Sequence, residues 1–172
     1  MPGSRLSVTE YAVLGVLAEK PSHGFAIAKE LEPTADLGRV FTVRRPLVYR
    51  ALDRMADIGY VETATTEPGS GPQRIVYRVT RAGRRRLRRW RSEPAAHVRD
   101  LRLEFLLKLA LHRRAGDSPL ELIRAQRAAL APTIAVLAEA DPDRDDHVEL
   151  WRRHNARAAL AFLDQLETLH RD

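Results

Sequence analysis

Four arginines and a tyrosine crowd one short segment of this chain. Arg44, Arg45, Arg50 and Arg54 surround Leu47 and Tyr49 in the run R-R-P-L-V-Y-R-A-L-D-R. A guanidinium offers a planar fork of donors that fits phosphate oxygens or the O6/N7 edge of guanine. A tyrosine hydroxyl beside it can donate to phosphate while its ring packs on the helix surface. A second polar group, Ser70, Gln73 and Arg74, falls in the loop T-T-E-P-G-S-G-P-Q-R. Such a loop can lay a cation in a minor groove or against a phosphate. This is the chemistry of gripping a polyanion. The alternative for each group is a solvated basic face or, for Tyr49, a half-buried structural ring.

Bond-breaking chemistry finds little support. The chain has no cysteine, hence no thiolate zinc site, cysteine nucleophile or disulfide. Its six histidines lack metal-ligand spacing. His147 and His154 fall about two helical turns apart, too far for one chain to chelate with both. There is no phosphate-cradling glycine loop and no Gly-x-Ser-x-Gly elbow. The expectation is therefore no catalytic residue, no metal, no cofactor and no enzyme.

The elements that must position these groups follow from pattern. Ser7 and Glu10 form a capping box for a first, mostly buried helix that ends before Pro21. A second helix should run from Phe25 to Glu32, burying Phe25, Ile27, Ala28 and Leu31. Residues 33–43 read as a loop, with Phe41 and Val43 placed for a short strand against the wing. Pro46 suits the first turn of a third helix. Val48, Ala51, Leu52, Met55 and Ile58 recur on its core side, and Gly59 is a natural left-handed stop. Leu47, Tyr49, Arg50, Asp53, Arg54 and Asp57 then fall outside. Residues 60–64 and 75–80 are strand-like, and Thr80 caps a helix from Arg81 to Arg91. A helix followed by a two-stranded wing is the second half of a winged helix-turn-helix, which lays a helix in the DNA major groove.

Charge divides the chain in two. Residues 1–92 hold 17 Lys and Arg against 9 Asp and Glu, whereas residues 93–172 hold 12 against 14. The boundary is set near Glu93-Pro94, separating a DNA-binding domain (1–92) from a helical domain (93–172) expected to serve dimerisation and effector response. Arg81, Arg84, Arg85, Arg86, Arg88, Arg89 and Arg91 wrap about three turns of one helix, so they cannot all meet one duplex; some should pair with acidic groups of the second half. Residues 98–111 read as one helix apolar nearly all round. Ser118-Pro119 opens another, which Pro132 should kink or split. In the last helix, roughly 144–170, Val148, Trp151, Asn155, Phe162, Leu166 and Leu169 form a seam that wants a partner helix, local or from a second subunit. Trp90 and Trp151 are candidates for stacking on a planar effector, with interface packing the alternative for both. No apolar run reaches membrane-spanning length, and the start lacks an apolar signal segment, which fits a cytoplasmic protein.

The chain resembles the PadR family of bacterial transcriptional regulators. The matching pieces are L-G-V-L with P-S-H-G-F, L-V-Y-R-A-L-D-R-M with I-G-Y-V, G-P-Q-R-I-V-Y-R-V-T-R-A-G-R, and R-D-L-R-L-E-F-L-L-K-L-A-L. Arg44-Arg45-Pro46 departs from the family's small residue or glycine at the start of the recognition helix. The resemblance implies a mainly α fold: a winged helix of three helices plus a β-wing, then an α-helical dimerisation domain. It also implies a homodimer on pseudo-palindromic double-stranded operator DNA. Function is then transcriptional regulation, as a repressor released by a small-molecule effector or another signal. A winged helix that binds proteins without selecting DNA is the alternative.

Overall fold

The computed structural model describes residues 6–67, 74–138 and 146–171. They form two compact units, Met1–Trp90 and Arg91–Asp172.

The first unit opens with helix α1, Val8–Glu19, started by the expected capping box. Glu10 receives both the Ser7 amide (2.6 Å) and the Ser7 hydroxyl (2.8 Å). Helix α2 spans Gly24–Glu30, and the Nδ1 of its cap, His23, accepts the Ala26 amide at 3.1 Å. Helix α3, Asp36–Val40, occupies part of the segment expected to be loop. Helix α4, Arg45–Asp57, turns Val48, Ala51, Leu52 and Met55 inward. It ends at Gly59, whose φ of 73° is open to glycine and strained for side chains with a Cβ. Leu14, Leu17, Ile27, Leu31 and Leu37 complete the buried core around it.

Strands β2, Val61–Glu67, and β3, Arg74–Val79, pair antiparallel, with a bulge between Thr63 and Thr65. The third strand corrects the sequence expectation. It is β1, Ser22–His23, which joins β3 through Ser22↔Tyr77 and His23↔Val76. Val43 instead lies in the core, its amide donating to the Leu31 carbonyl at 3.1 Å. Phe25 is a second correction: it is 39% exposed, because Ile27, Ala28 and Leu31 already fill the core side of the short α2.

Helix α5, Arg81–Ser92, is tied back to the sheet by Thr80. The Thr80 hydroxyl donates to the Gly59 carbonyl (2.7 Å) and accepts the Gly83 amide (3.1 Å). At Gly83 a Cβ would collide with the Tyr60 carbonyl oxygen, so this close approach requires glycine.

In the second unit, the single helix expected over 98–111 is broken. A 3-10 turn, Val98–Asp100, leads into a π turn, Leu101–Phe105, before α6, Leu106–Ala115. The wider turn shifts the apolar register, so Leu101 and Phe105 are buried within it and Leu107 and Leu111 beyond it. Helix α7 runs Leu120–Ala138 straight through Pro132, which therefore does not split it. A proline forfeits one amide bond, and on this exposed stretch water can take up the freed carbonyl. Helix α8, His147–Leu169, buries Ala156 and packs Ala159 and Leu163 into a core with Leu101, Phe105, Ile123 and Leu130. Phe162 and Leu166 are partly buried against the same cluster. Arg127 on α7 pairs with Asp164 on α8 at 2.7 Å. Gln126 is buried in this unit and closes a two-bond bridge with the Ala95 backbone (2.6 and 3.0 Å). Among the described residues, no helix is long and apolar enough to cross a membrane.

Candidate nucleic-acid interface

The outer surface of α4 is built by what lies behind and beside it. Successive helical residues turn by about 100°. With Val48, Ala51, Leu52 and Met55 inward, Pro46, Arg50, Asp53 and Asp57 form the outward crest. Arg45 and Tyr49 flank it toward α2, and Leu47 and Arg54 flank it toward α1. Leu47 and Tyr49 are 42% and 41% exposed. No side chain caps the α4 N-terminus at Arg44; Pro46 has no amide and the Leu47 amide donates to the Arg44 carbonyl at 2.9 Å, while the positive end of the helix dipole faces out.

Each flank is held by its neighbour. On the α2 side the Tyr49 ring lies over Gly24, where a Cβ would stand 2.6 Å from Tyr49 Cε1. The Arg45 guanidinium sits 4.6 Å from the Phe25 ring centre, and Lys29 Nζ lies 5.4 Å from it. Phe25, expected as core, thus becomes a platform for two cations beside the start of α4. On the α1 side Arg54 Nη1 reaches both carboxylate oxygens of Glu10, at 2.5 and 2.7 Å. Glu10 is buried, so Arg54 is engaged in holding α4 to α1. The sequence placed Arg54 with the DNA-contacting groups. Glu10 showed only as a helix cap, and nothing local announces a partner on another helix.

Arg44, Arg45, Leu47, Tyr49 and Arg50 all share this outer region. Arg74 begins β3, but its side chain, with Ser70 and Gln73, lies outside the described residues. Tyr77, on β3, joins the patch. Its hydroxyl is pushed above the ordinary 10.0, first by partial burial, then by the negative charge of Asp53 and by Tyr49. Sequence reasoning named Tyr77 only as a strand residue. Its place opposite Ser22 in the sheet brings it beside α4.

Three arginines of α5 have structural tasks. Arg84 donates to the Ala18 carbonyl at 2.9 Å, and Arg86 lies over the Tyr11 ring. Arg91 pairs with Asp117 at 2.5 Å. Trp90 is buried and stacked on Tyr11, with ring centres 4.0 Å apart and nearly parallel planes. That is packing within the first unit. On α8 the seam residues divide: Val148, Trp151 and Leu169 are exposed, whereas Phe162 and Leu166 help close the local core. Asn155 bonds the Trp151 carbonyl at 2.9 Å.

Comparison with known proteins bears on the family through sequence and on the fold through shape. Residues 13–89 match the profile of the transcriptional regulator PadR-like family. The negative transcriptional regulator PadR of Bacillus subtilis is 28% identical over 106 residues, 60% of this chain and 56% of that protein. A probable transcriptional regulator of Mycobacterium tuberculosis is 29% identical over 89 residues, 52% of this chain and 46% of that one. The chain spans about half the length of these curated relatives. In shape it resembles Bacillus subtilis PadR in complex with operator DNA, with a TM-score of 0.50. That likeness covers 95% of this chain and 99% of the other at 19% identity, and it carries the fold: a winged helix followed by a helical part.

Proposed function

Because residues 13–89 match the profile of the PadR-like family of transcriptional regulators, we propose that the chain is such a regulator, binding double-stranded DNA sequence-specifically and repressing transcription. The observation that carries this is the α4 surface: its back is locked into the core, its flanks are pinned by Gly24, Phe25 and Glu10, and its crest is exposed. Such a rod fits a major groove, with the β2–β3 wing alongside over the backbone. Arg44 and Arg45, at the uncapped N-terminus, suit phosphate, where the helix dipole adds to their charge.

A second copy of the chain would cover Val148, Trp151 and Leu169 on α8 and hold two winged helices at the spacing of a pseudo-palindromic operator, in the cytoplasm. A small molecule or another signal would release the operator by favouring a dimer geometry with the wrong spacing. Its effect is bounded by its differential affinity for the two geometries.

The test is binding of selected genomic duplexes as a function of salt. Affinity should fall steeply, with a logarithmic slope of about 0.9 per phosphate neutralised. The Arg45→Ala, Arg50→Ala double variant should bind weakly and with a shallower slope. Unchanged affinity and slope would refute this placement. Sedimentation of a Trp151→Ala, Leu169→Ser variant should show monomer where the parent is dimer; a parent that is strictly monomeric would refute the assembly.

A further inference from the structure

The cations around α4 are not equivalent. Arg54 is engaged by buried Glu10, and Arg45 is laid on Phe25. Arg44 precedes the helix, at its phosphate-facing end. Arg50 stands on the exposed crest and makes no hydrogen bond or ion pair with any described residue.

Asp53 is the carboxylate nearest Arg50 on the same crest. It is exposed and likewise makes no hydrogen bond or ion pair among the described residues, although Arg50 lies only three residues away. Elsewhere in this unit Glu10 pairs with Arg54 and Glu62 with Arg78 at 2.8 Å, whereas exposed Asp57, on the same crest, has no such partner among the described residues. A bare carboxylate on a surface that approaches DNA is repelled by phosphate. It is favourable only where it meets a donor. In the major groove the exocyclic donors are cytosine N4 and adenine N6. A carboxylate has acceptors only, so it cannot also satisfy adenine N7, and cytosine is the better fit.

Resting on the DNA-binding function above, we propose that Arg50 and Asp53 are the base-selecting pair of this protein. Arg50 donates to the O6/N7 edge of a guanine, and Asp53 accepts from the N4 amine of a cytosine. The two residues are separated by about 4.5 Å along the helix axis, against about 3.4 Å between stacked base pairs. The two bases therefore occupy the same or neighbouring base-pair levels in each half-site. Tyr49 and Arg45, fixed on the flank, set the register in which this pair enters.

The experiment selects duplexes from a random-sequence pool with the full-length parent, Arg50→Ala, Asp53→Ala and Asp53→Asn. Both positions are exposed, so thermal unfolding should be unchanged in all variants. The parent should enrich a motif with a fixed guanine and a fixed cytosine close together. Asp53→Ala should flatten the cytosine position alone, losing roughly 5- to 150-fold discrimination there. Asp53→Asn should move that position toward adenine, whose N6/N7 edge an amide meets with two bonds. Arg50→Ala should flatten the guanine position. If the parent enriches a motif that both Asp53 variants reproduce at every position, the pair is not the selector and the proposal is overturned while DNA binding stands. If the parent enriches no motif, sequence-specific DNA binding itself is refuted.

Discussion

Replacing Arg54 with alanine separates two roles that an arginine on a DNA-facing helix can play. Glu10 accepts from the Ser7 amide and hydroxyl as well as from Arg54, so the variant strips one of three partners from a buried carboxylate. Breaking a fully buried ion pair costs about 3–5 kcal/mol, and an exposed pair is worth about 0–1 kcal/mol. Here the carboxylate side chain is 5% exposed and the guanidinium side chain 44%, and two donors remain. The cost should fall between these limits, at about 1–3 kcal/mol. For a chain of this size that lowers the melting temperature by roughly 2–4 °C per kcal/mol. Affinity for a selected duplex, extrapolated to a temperature where both proteins are folded, should stay close to the parent's, and so should the salt slope. Arg44→Ala is the control: little change in melting, but a slope shallower by about 0.9 for each phosphate it no longer neutralises. If Arg54→Ala melts like the parent yet binds as weakly and with as shallow a slope as Arg44→Ala, then Arg54 leaves Glu10 for DNA and its structural assignment is wrong.

Three further outcomes rest on single side chains. Gly24→Ala places a methyl 2.6 Å from Tyr49 Cε1 and should swing the surface ring aside; folding should be intact, while duplex affinity falls by about 1–2 kcal/mol, or roughly 5- to 30-fold, in a binding titration. Gly83→Ala would ordinarily stabilise a helix by about 1 kcal/mol, but its Cβ meets the Tyr60 carbonyl and lies 2.8 Å from Val79 Cγ2; calorimetry should show a loss of about 1–3 kcal/mol. His112 is held below its ordinary 6.5, first by burial and then by the charge of Arg91. Its folded form binds fewer protons than the unfolded chain, so its stabilising effect is complete above that value and is lost as pH falls through the folded one. Melting temperature should drop as pH falls below the ordinary 6.5, and His112→Gln should reduce that slope.

What was legible in the sequence was local. The Ser7–Glu10 box, the inward line Val48, Ala51, Leu52 and Met55, the Gly59 stop and the Thr80 cap each rest on neighbours within a few residues, and each is present. What escaped was set by tertiary contacts. Ser22–His23 is too short to show alternation, and it is a strand only because β3 lies beside it. Phe25 has the composition of a core residue, yet the core side of α2 is filled before its ring could reach it. The Glu10–Arg54 pair joins residues 44 apart, and no periodicity predicts that. The π turn at Leu101–Phe105 has the same apolar composition as the α-helix that follows, so pattern cannot separate them. On the candidate surface, exposure of Tyr49 and Arg50 followed from the spacing on α4, whereas the engagement of Arg45 and Arg54 did not.

The excess of cations in residues 1–92 is therefore a poor guide to where a base would be read. A polyanion attracts all of them, but specificity needs donors whose positions are fixed and whose bonds are not already made. Arg84, Arg86 and Arg91 hold the fold, and Arg54 holds α4 to α1. Arg45 is fixed on a ring yet keeps its donors outward, which suits a phosphate whose position must be constant. The unpaired charged residues of the crest, Arg50, Asp53 and Asp57, stand on a helix that its neighbours immobilise on three sides. In the proposed complex Asp53 would oppose the general attraction and so lower affinity for every sequence except those that supply it a donor. In the proposed complex a carboxylate in that position would give up strength of binding for selectivity, and the surrounding arginines would make that exchange possible by keeping the protein on DNA at all.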